Sequence, residues 1–190
     1  MRTLLYAIRS KLNDMKSVAS LIFGLLLFAC CSVSELSAQH RKLTIILLRH
    51  AEKDLSKDMD AANPELSAEG KIRAEKLVSI VRKYQPDAIF STDYIRTRST
   101  VRPLARSRRM MTQIYEPRNL KQMQELILSG KLKRLIVVGH NNTTPALVNM
   151  LIGQEKYKPL AESEYDKIWI VKIKRNKKKP NKVKETLMTY

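Results

Sequence analysis

The chain has 190 residues, room for one domain of ordinary size, with 36 Lys and Arg against 18 Asp and Glu. A surface this basic attracts anionic substrates, anionic lipid or nucleic acid. Both cysteines, Cys30 and Cys31, fall near the start, which excludes a disulfide, a thiol nucleophile or a cysteine metal site from residue 39 onward.

In chain order, the first feature is VASLIFGLLLFACC, residues 18–31. It is uncharged and follows Lys16, too short for a membrane span of about 20 residues but suited to the apolar core of a secretory signal. The spacing predicts a signal peptide over residues 1–38, with Met15 as the true start. Two processing schemes stand open. Cleavage after Ala38 leaves Gln39 first, whereas LFAC would make Cys30 a lipid-anchored residue. Either way the protein is expected to be exported, periplasmic in the first scheme and a membrane-anchored lipoprotein in the second. Losing residues 1–38 removes four of the 36 bases (Arg2, Arg9, Lys11, Lys16) and two of the 18 acids (Asp14, Glu35), leaving 32 against 16.

LTIILLRHAEKD (43–54) begins the mature domain. Its unbroken aliphatic run reads as a strand buried on both faces. Ser67 to Tyr84 reads as a helix with Ser67 as N-cap and Ile72, Leu77, Ile80 and Val81 as its apolar stripe. DAIFS (87–91) is a second strand. A helix follows from Ile95 to about Ser107, shortened or kinked at Pro103. MTQIYE (111–116) reads as a strand, Leu120–Leu128 as a helix closed by Gly130, and RLIVVGH (134–140) as another buried strand. Pro145 is expected to open a short helix. KIWIVKIKR and VKETLMTY form a hairpin around a Lys-rich turn. This alternation predicts an α/β three-layer sandwich with a mostly parallel sheet, helices on its faces and a C-terminal antiparallel hairpin.

Chemistry gathers at the strand ends. The first strand ends in Arg49-His50, the second in Ser91 with Arg96 beyond it, the fourth in Gly139-His140. Ligands of open α/β sheets bind beyond the carboxyl ends of the strands. Two of the three histidines arrive there; His40 has no such context. Arginine presents a planar fork of donors suited to phosphate oxygens, so the pattern asks for a tetrahedral anion. Arg98, Arg102 and Arg106 recur every four residues and read as a solvated helix face.

LLRHAEK, STDYIRTRST and VVGHNNTTPAL, in that order, resemble the three signatures of the histidine phosphatase superfamily (phosphoglycerate mutase-like). The resemblance implies that His50 is the nucleophile, carrying the phosphoryl group as phosphohistidine. It implies that Arg49, Arg96 and His140 hold the phosphate oxygens, and that an acid after the strand following Arg96 protonates the leaving oxygen. Glu116 is that candidate; Glu52 and Asp93 are its rivals. Asn141 either binds phosphate or shapes the turn. Lys53 is expected to face either the substrate or solvent, with solvent favoured. No metal or other cofactor is expected. The chain lacks the long insertions that form lids in mutases and phytase-like members, and in size is similar to the bacterial phosphohistidine phosphatases. The expected activity is hydrolysis of phosphomonoesters, or of phosphoprotein or phosphohistidine. A catalytically idle anion- or surface-binding module is the alternative, and a metallohydrolase has no supporting His spacing. The expected partner is a phosphorylated anionic substrate, with no specific nucleic acid, and with contact to an anionic membrane or a lipid at Cys30 left open. The oligomeric state has no signature.

Overall fold

The structure, a computed structural model, describes residues 42–56, 62–176 and 180–190, all within the unit Gln39–Tyr190. The signal segment with Met15, Cys30 and Ala38, the tail residue His40, and part of the Lys-rich turn lie outside the described residues.

Strand β1 (Lys42–Arg49) is buried from Ile45 to its end. Its side chains alternate between two apolar layers: Leu43, Ile45 and Leu47 enter one cluster, Ile46 and Leu48 the other. Burial on both faces is why the run carries no polar alternation. Each such Leu or Ile contributes roughly 1.5–3 kcal/mol relative to exposure.

Helix α1 (Ala68–Val81) starts where expected, Ser67 Oγ accepting from Gly70 N–H at 3.2 Å. Its buried stripe is Gly70, Ala74, Leu77 and Val81. Ile72, assigned to that stripe from the sequence, is instead 68% exposed. Small residues were needed at the helix start: a Cβ on Gly70 would stand 2.3 Å from the Glu52 carbonyl oxygen. A 3-10 turn (Arg82–Tyr84) leads to β2 (Ala88–Ser91).

Helix α2 (Ile95–Arg108) runs through Pro103 without ending. Then follow β3 (Thr112–Ile114), α3 (Leu120–Leu128) and β4 (Arg134–Gly139). Helix α4 (Thr143–Ile152) begins two residues before the expected Pro145, because Asn142 caps it through Thr143 N–H at 2.8 Å. Pro145 still falls in the first turn, where a missing N–H costs nothing. Strands β5 (Lys167–Lys174) and β6 (Lys182–Thr189) form the antiparallel hairpin.

One six-stranded sheet runs β3-β2-β4-β1-β5-β6. The first four strands are mutually parallel, and β5 pairs antiparallel with β1. Met123 and Ile127 of α3 and Leu147, Val148 and Leu151 of α4 pack in one cluster. Leu77 and Val81 of α1 and Val101 and Leu104 of α2 pack in the other. The expected three-layer α/β sandwich is what forms. After neighbouring strands β1 and β4 the chain therefore leaves toward opposite faces, which opens a crevice between their ends.

Candidate active site

The parallel register sets Arg49 beside Gly139, so His50 and His140 lie one residue past paired positions. His50 N–H donates to the Gly139 carbonyl at 3.0 Å. The imidazole rings meet edge to face, 5.6 Å between centroids. Gly139 admits no side chain, since a Cβ would come within 2.8 Å of the Thr143 and Tyr115 hydroxyls. His140 Nε2 lies 2.9 Å from Thr92 Oγ1, just past the end of β2.

His50 is almost wholly buried. Its Nδ1 is 2.7 Å from the Ala51 carbonyl oxygen. A carbonyl only accepts, so Nδ1 carries the proton and Nε2 keeps the lone pair. Burial, opposed by that hydrogen bond and reinforced by the charges of Arg49, Arg96 and His140, pushes His50 down to about 3. Burial and the same two arginines push His140 down to about 4. Both rings are neutral at pH 7.

The two arginines are held differently. Arg49 is 1% exposed. Its Nη1 donates to the carbonyls of Ala161, Glu162 and Glu164 at 2.8, 3.2 and 3.1 Å, and its Nη2 to Glu162 Oε2 at 3.0 Å. The Tyr165 ring stacks on the guanidinium at 4.1 Å. Arg96, in the first turn of α2, rests over the Tyr94 ring at 4.5 Å. Among the described residues its buried Nε and Nη1 have no partner, nor has Nε of Arg49. Burial and the Arg49 charge hold Arg96 below the usual guanidinium range, yet it remains a cation. Thr100, four residues after Arg96, accepts Ala51 N–H at 2.9 Å and donates to the Arg96 carbonyl at 2.7 Å. It ties the loop after His50 to the helix that carries Arg96.

Of the expected site residues, Arg49, His50, Arg96 and His140 come together. Asn141 reaches the same rim, but its Nδ2 donates to Glu162 Oε1 at 3.1 Å. Glu116 stands exposed beyond β3, its carboxylate accepting Arg118 N–H at 3.0 Å. Strands β2 and β4 separate β3 from β1, and among the described residues Glu116 bonds to no side chain of the site. Its rivals are engaged in ion pairs. Glu52 binds Arg73 with both oxygens at 2.6–2.9 Å. Burial alone would raise its carboxyl, but the Arg73 hydrogen bonds bring it below the usual range. Asp93 pairs with Arg98.

Three groups were not foreseen. Glu162 contacts Arg49, Asn141 and Lys53, the last at 3.2 Å, so Lys53 faces the site rim rather than solvent. Tyr165 and Tyr94 wall the crevice against the two arginines. A local excess of acid in AESEYD, within so basic a chain, is the one sequence signal for Glu162. Among the described residues no three His, Cys, Asp or Glu side chains gather as a metal site would need.

Residues 45–124 match the family model of the histidine phosphatase superfamily (branch 1). The resemblance read from the three motifs is borne out. No curated protein matches the chain in sequence. Among solved structures, the chain is similar to a SixA protein from Agrobacterium tumefaciens provisionally described as a phosphohistidine phosphatase. The two share 19% identity, with 77% of this chain and 98% of that one covered and a TM-score of 0.56. A protein histidine phosphatase SixA complexed with tungstate matches at 12% identity, 77% and 97% coverage and TM-score 0.58. A mycobacterial glucosyl-3-phosphoglycerate phosphatase matches at 14%, 70% and 91%, and 0.54. At such identities the likeness establishes the histidine phosphatase fold.

Proposed function

We propose that the protein is an exported, metal-independent phosphatase that hydrolyses phosphomonoesters through a phosphohistidine on His50. The observation that carries this reading is the pairing of an unprotonated Nε2 on His50 with buried guanidinium N–H groups of Arg96 and Arg49 that lack partners. Buried donors without acceptors are costly, and a phosphoryl group supplies the oxygens they need. A binding-only module has no use for a neutral imidazole fixed in that tautomer beside them.

In the first step Nε2 attacks phosphorus and the ester P–O bond breaks, while Arg49, Arg96 and His140 stabilise charge on the equatorial oxygens. The leaving oxygen takes a proton from Glu116, which requires its loop to bring the carboxyl toward the crevice when substrate binds. Water then attacks the phosphohistidine, the N–P bond breaks, its proton returns to Glu116 and phosphate leaves. Anionic phosphate raises the pKa of His140, which can then donate from both ring nitrogens. The substrates proposed are phosphate esters or phosphorylated protein side chains, with Tyr94 and Tyr165 packed on the two arginines that would take the phosphate.

The test is turnover of a generic aryl phosphate by the purified protein, with and without EDTA, beside His50→Ala. Turnover that survives EDTA, falls on the order of 10³-fold or more in the variant, and leaves an acid-labile phosphoryl label on the wild-type protein is expected. Loss in EDTA would replace this reading with a metal-dependent one. Glu116→Gln should slow an alkyl phosphate about 10²-fold but an aryl phosphate, whose leaving group needs little protonation, far less. Equal effects on both would remove Glu116 from the role.

A further inference from the structure

A groove of about 520 Å³ runs along the outer side of α2 toward the edge of the sheet. Arg98, Arg102, Arg106 and Arg109 line it, with Ile95 and Thr112. All four arginines are exposed. Among the described residues only Arg98 has an acidic partner, Asp93.

Local helix energetics accounts for part of this charge. Arg106, in the last turn, complements the helix dipole. Arg102 has no such reason: it is mid-helix, flanked at four-residue spacing by Arg98 and Arg106, an arrangement in which like charges destabilise a helix. Arg109 caps the helix in the left-handed region, φ 52°. Glycine is the usual residue there, and a side chain accepts strain. Four cations thus line one concavity, three of them without an acidic partner among the described residues and one on a strained backbone.

The far wall of the groove adds a second feature. Thr112 begins β3, the edge strand of the sheet, which pairs with β2 on one side and, among the described residues, with no strand on the other. Beside it, Met111 is 88% exposed. An edge strand facing a helix across a groove is the geometry in which an extended peptide adds a strand.

We infer that the groove between α2 and β3 binds an extended acidic segment of a polypeptide partner, its backbone along β3 and its carboxylates on Arg98, Arg102, Arg106 and Arg109. Nucleic acid fits less well, because no aromatic side chain lines the groove to stack a base. A lipid surface fits less well because the charge sits around a concavity, whereas headgroups present a plane. The groove starts at Ile95, next to Arg96, so a bound segment would run from the mouth of the crevice along the helix.

The experiment measures binding of a fluorescent peptide alternating Glu and Val to the purified protein. Its Gln-Val counterpart, duplex DNA and phosphatidylglycerol vesicles serve as competitors. The acidic peptide should bind with an affinity that falls steeply with salt. Arg102→Glu with Arg106→Glu should weaken it at least tenfold and leave aryl phosphate turnover unchanged, and Arg102→Lys with Arg106→Lys should retain most of it. Amide exchange at residues 112–114 should slow when the peptide binds. The inference is overturned if the charge reversal leaves binding unchanged, if Gln-Val binds equally, if exchange at β3 is unaffected, or if DNA or vesicles outcompete the peptide.

Discussion

Arg49 and Arg96 stand on either side of His50 and carry the same charge, but the chain treats them differently. Arg49 closes a buried strand and spends three of its hydrogen bonds on the carbonyls of Ala161, Glu162 and Glu164 and a fourth on the Glu162 carboxylate. Arg96 opens a helix, and its buried Nε and Nη1 are unpaired among the described residues. The first arginine fastens the loop before β5 to the strand end. The second is held with buried donors that an anionic ligand would satisfy. On the proposed function, Arg49 serves structure as much as chemistry, and Arg96 mainly chemistry.

Replacing each by alanine should separate these roles. Arg49→Ala removes a buried side chain and its four part-buried hydrogen bonds to residues 161–164, and the domain should lose on the order of 3 kcal/mol of stability along with activity, read by denaturant unfolding and turnover. Arg96→Ala should lower kcat/KM roughly 10²–10³-fold with an unchanged or slightly raised Tm, because it deletes unsatisfied donors. Comparable destabilisation by both would erase the distinction.

A smaller change probes what Arg49 is tied to. Glu162 occupies Arg49, Lys53 and Asn141 at once, an anion seated on the cations of the rim. Glu162→Gln should tighten competitive inhibition by inorganic phosphate a few-fold, since an exposed ion pair is worth only about 0–1 kcal/mol. Weaker inhibition would mean that Glu162 orients Arg49 for the ligand rather than competing with it.

The smallest expected signal is electrostatic. His50 and His140 have pKa values pushed to about 3 and about 4, against 6.5 unfolded. The unfolded chain therefore binds more protons between these values, and stability contributed by the neutral rings is full above pH 6.5 and lost as pH falls toward 4 and 3. In the ligand-free protein neither ring should titrate between pH 5 and 8 by NMR. A midpoint near 6.5 for either would place that ring in water and contradict its burial.

Much of this was legible in the sequence because the relevant signals are local. An apolar run bounded by charge announces β1 and β4, and their last residues are the histidines. Ser67 announces the start of α1. What stayed illegible depended on distant packing. Ile72 fits a helical stripe, but α1 turns Leu77 and Val81 to the sheet and Gly70 and Ala74 to the segment after β1, where the Glu52 backbone comes too close to Gly70 for a side chain. The choice for Lys53 between substrate and solvent could not be made from the sequence, because its partner, Glu162, is 109 residues away. Tyr165 and Glu162 sit in a segment with no periodicity, and only the sheet order brings them over Arg49. The catalytic strand ends can be read from the chain; the rim that modulates them cannot.

The pairing of β1 has a consequence for how the domain is assembled. As the first strand of the domain it lies between β4 and β5, with Thr44 beside Arg134 and Lys42 beside Lys174. Its neighbours come about 90 and 130 residues later, so its register closes only after long loops have been closed, the slow kind of folding step. A chain truncated before residue 134 would hold His50 with nothing opposite it. Catalytic competence is therefore one of the last properties a newly made molecule acquires, and the appearance of turnover during refolding would time the docking of β1 between its partners.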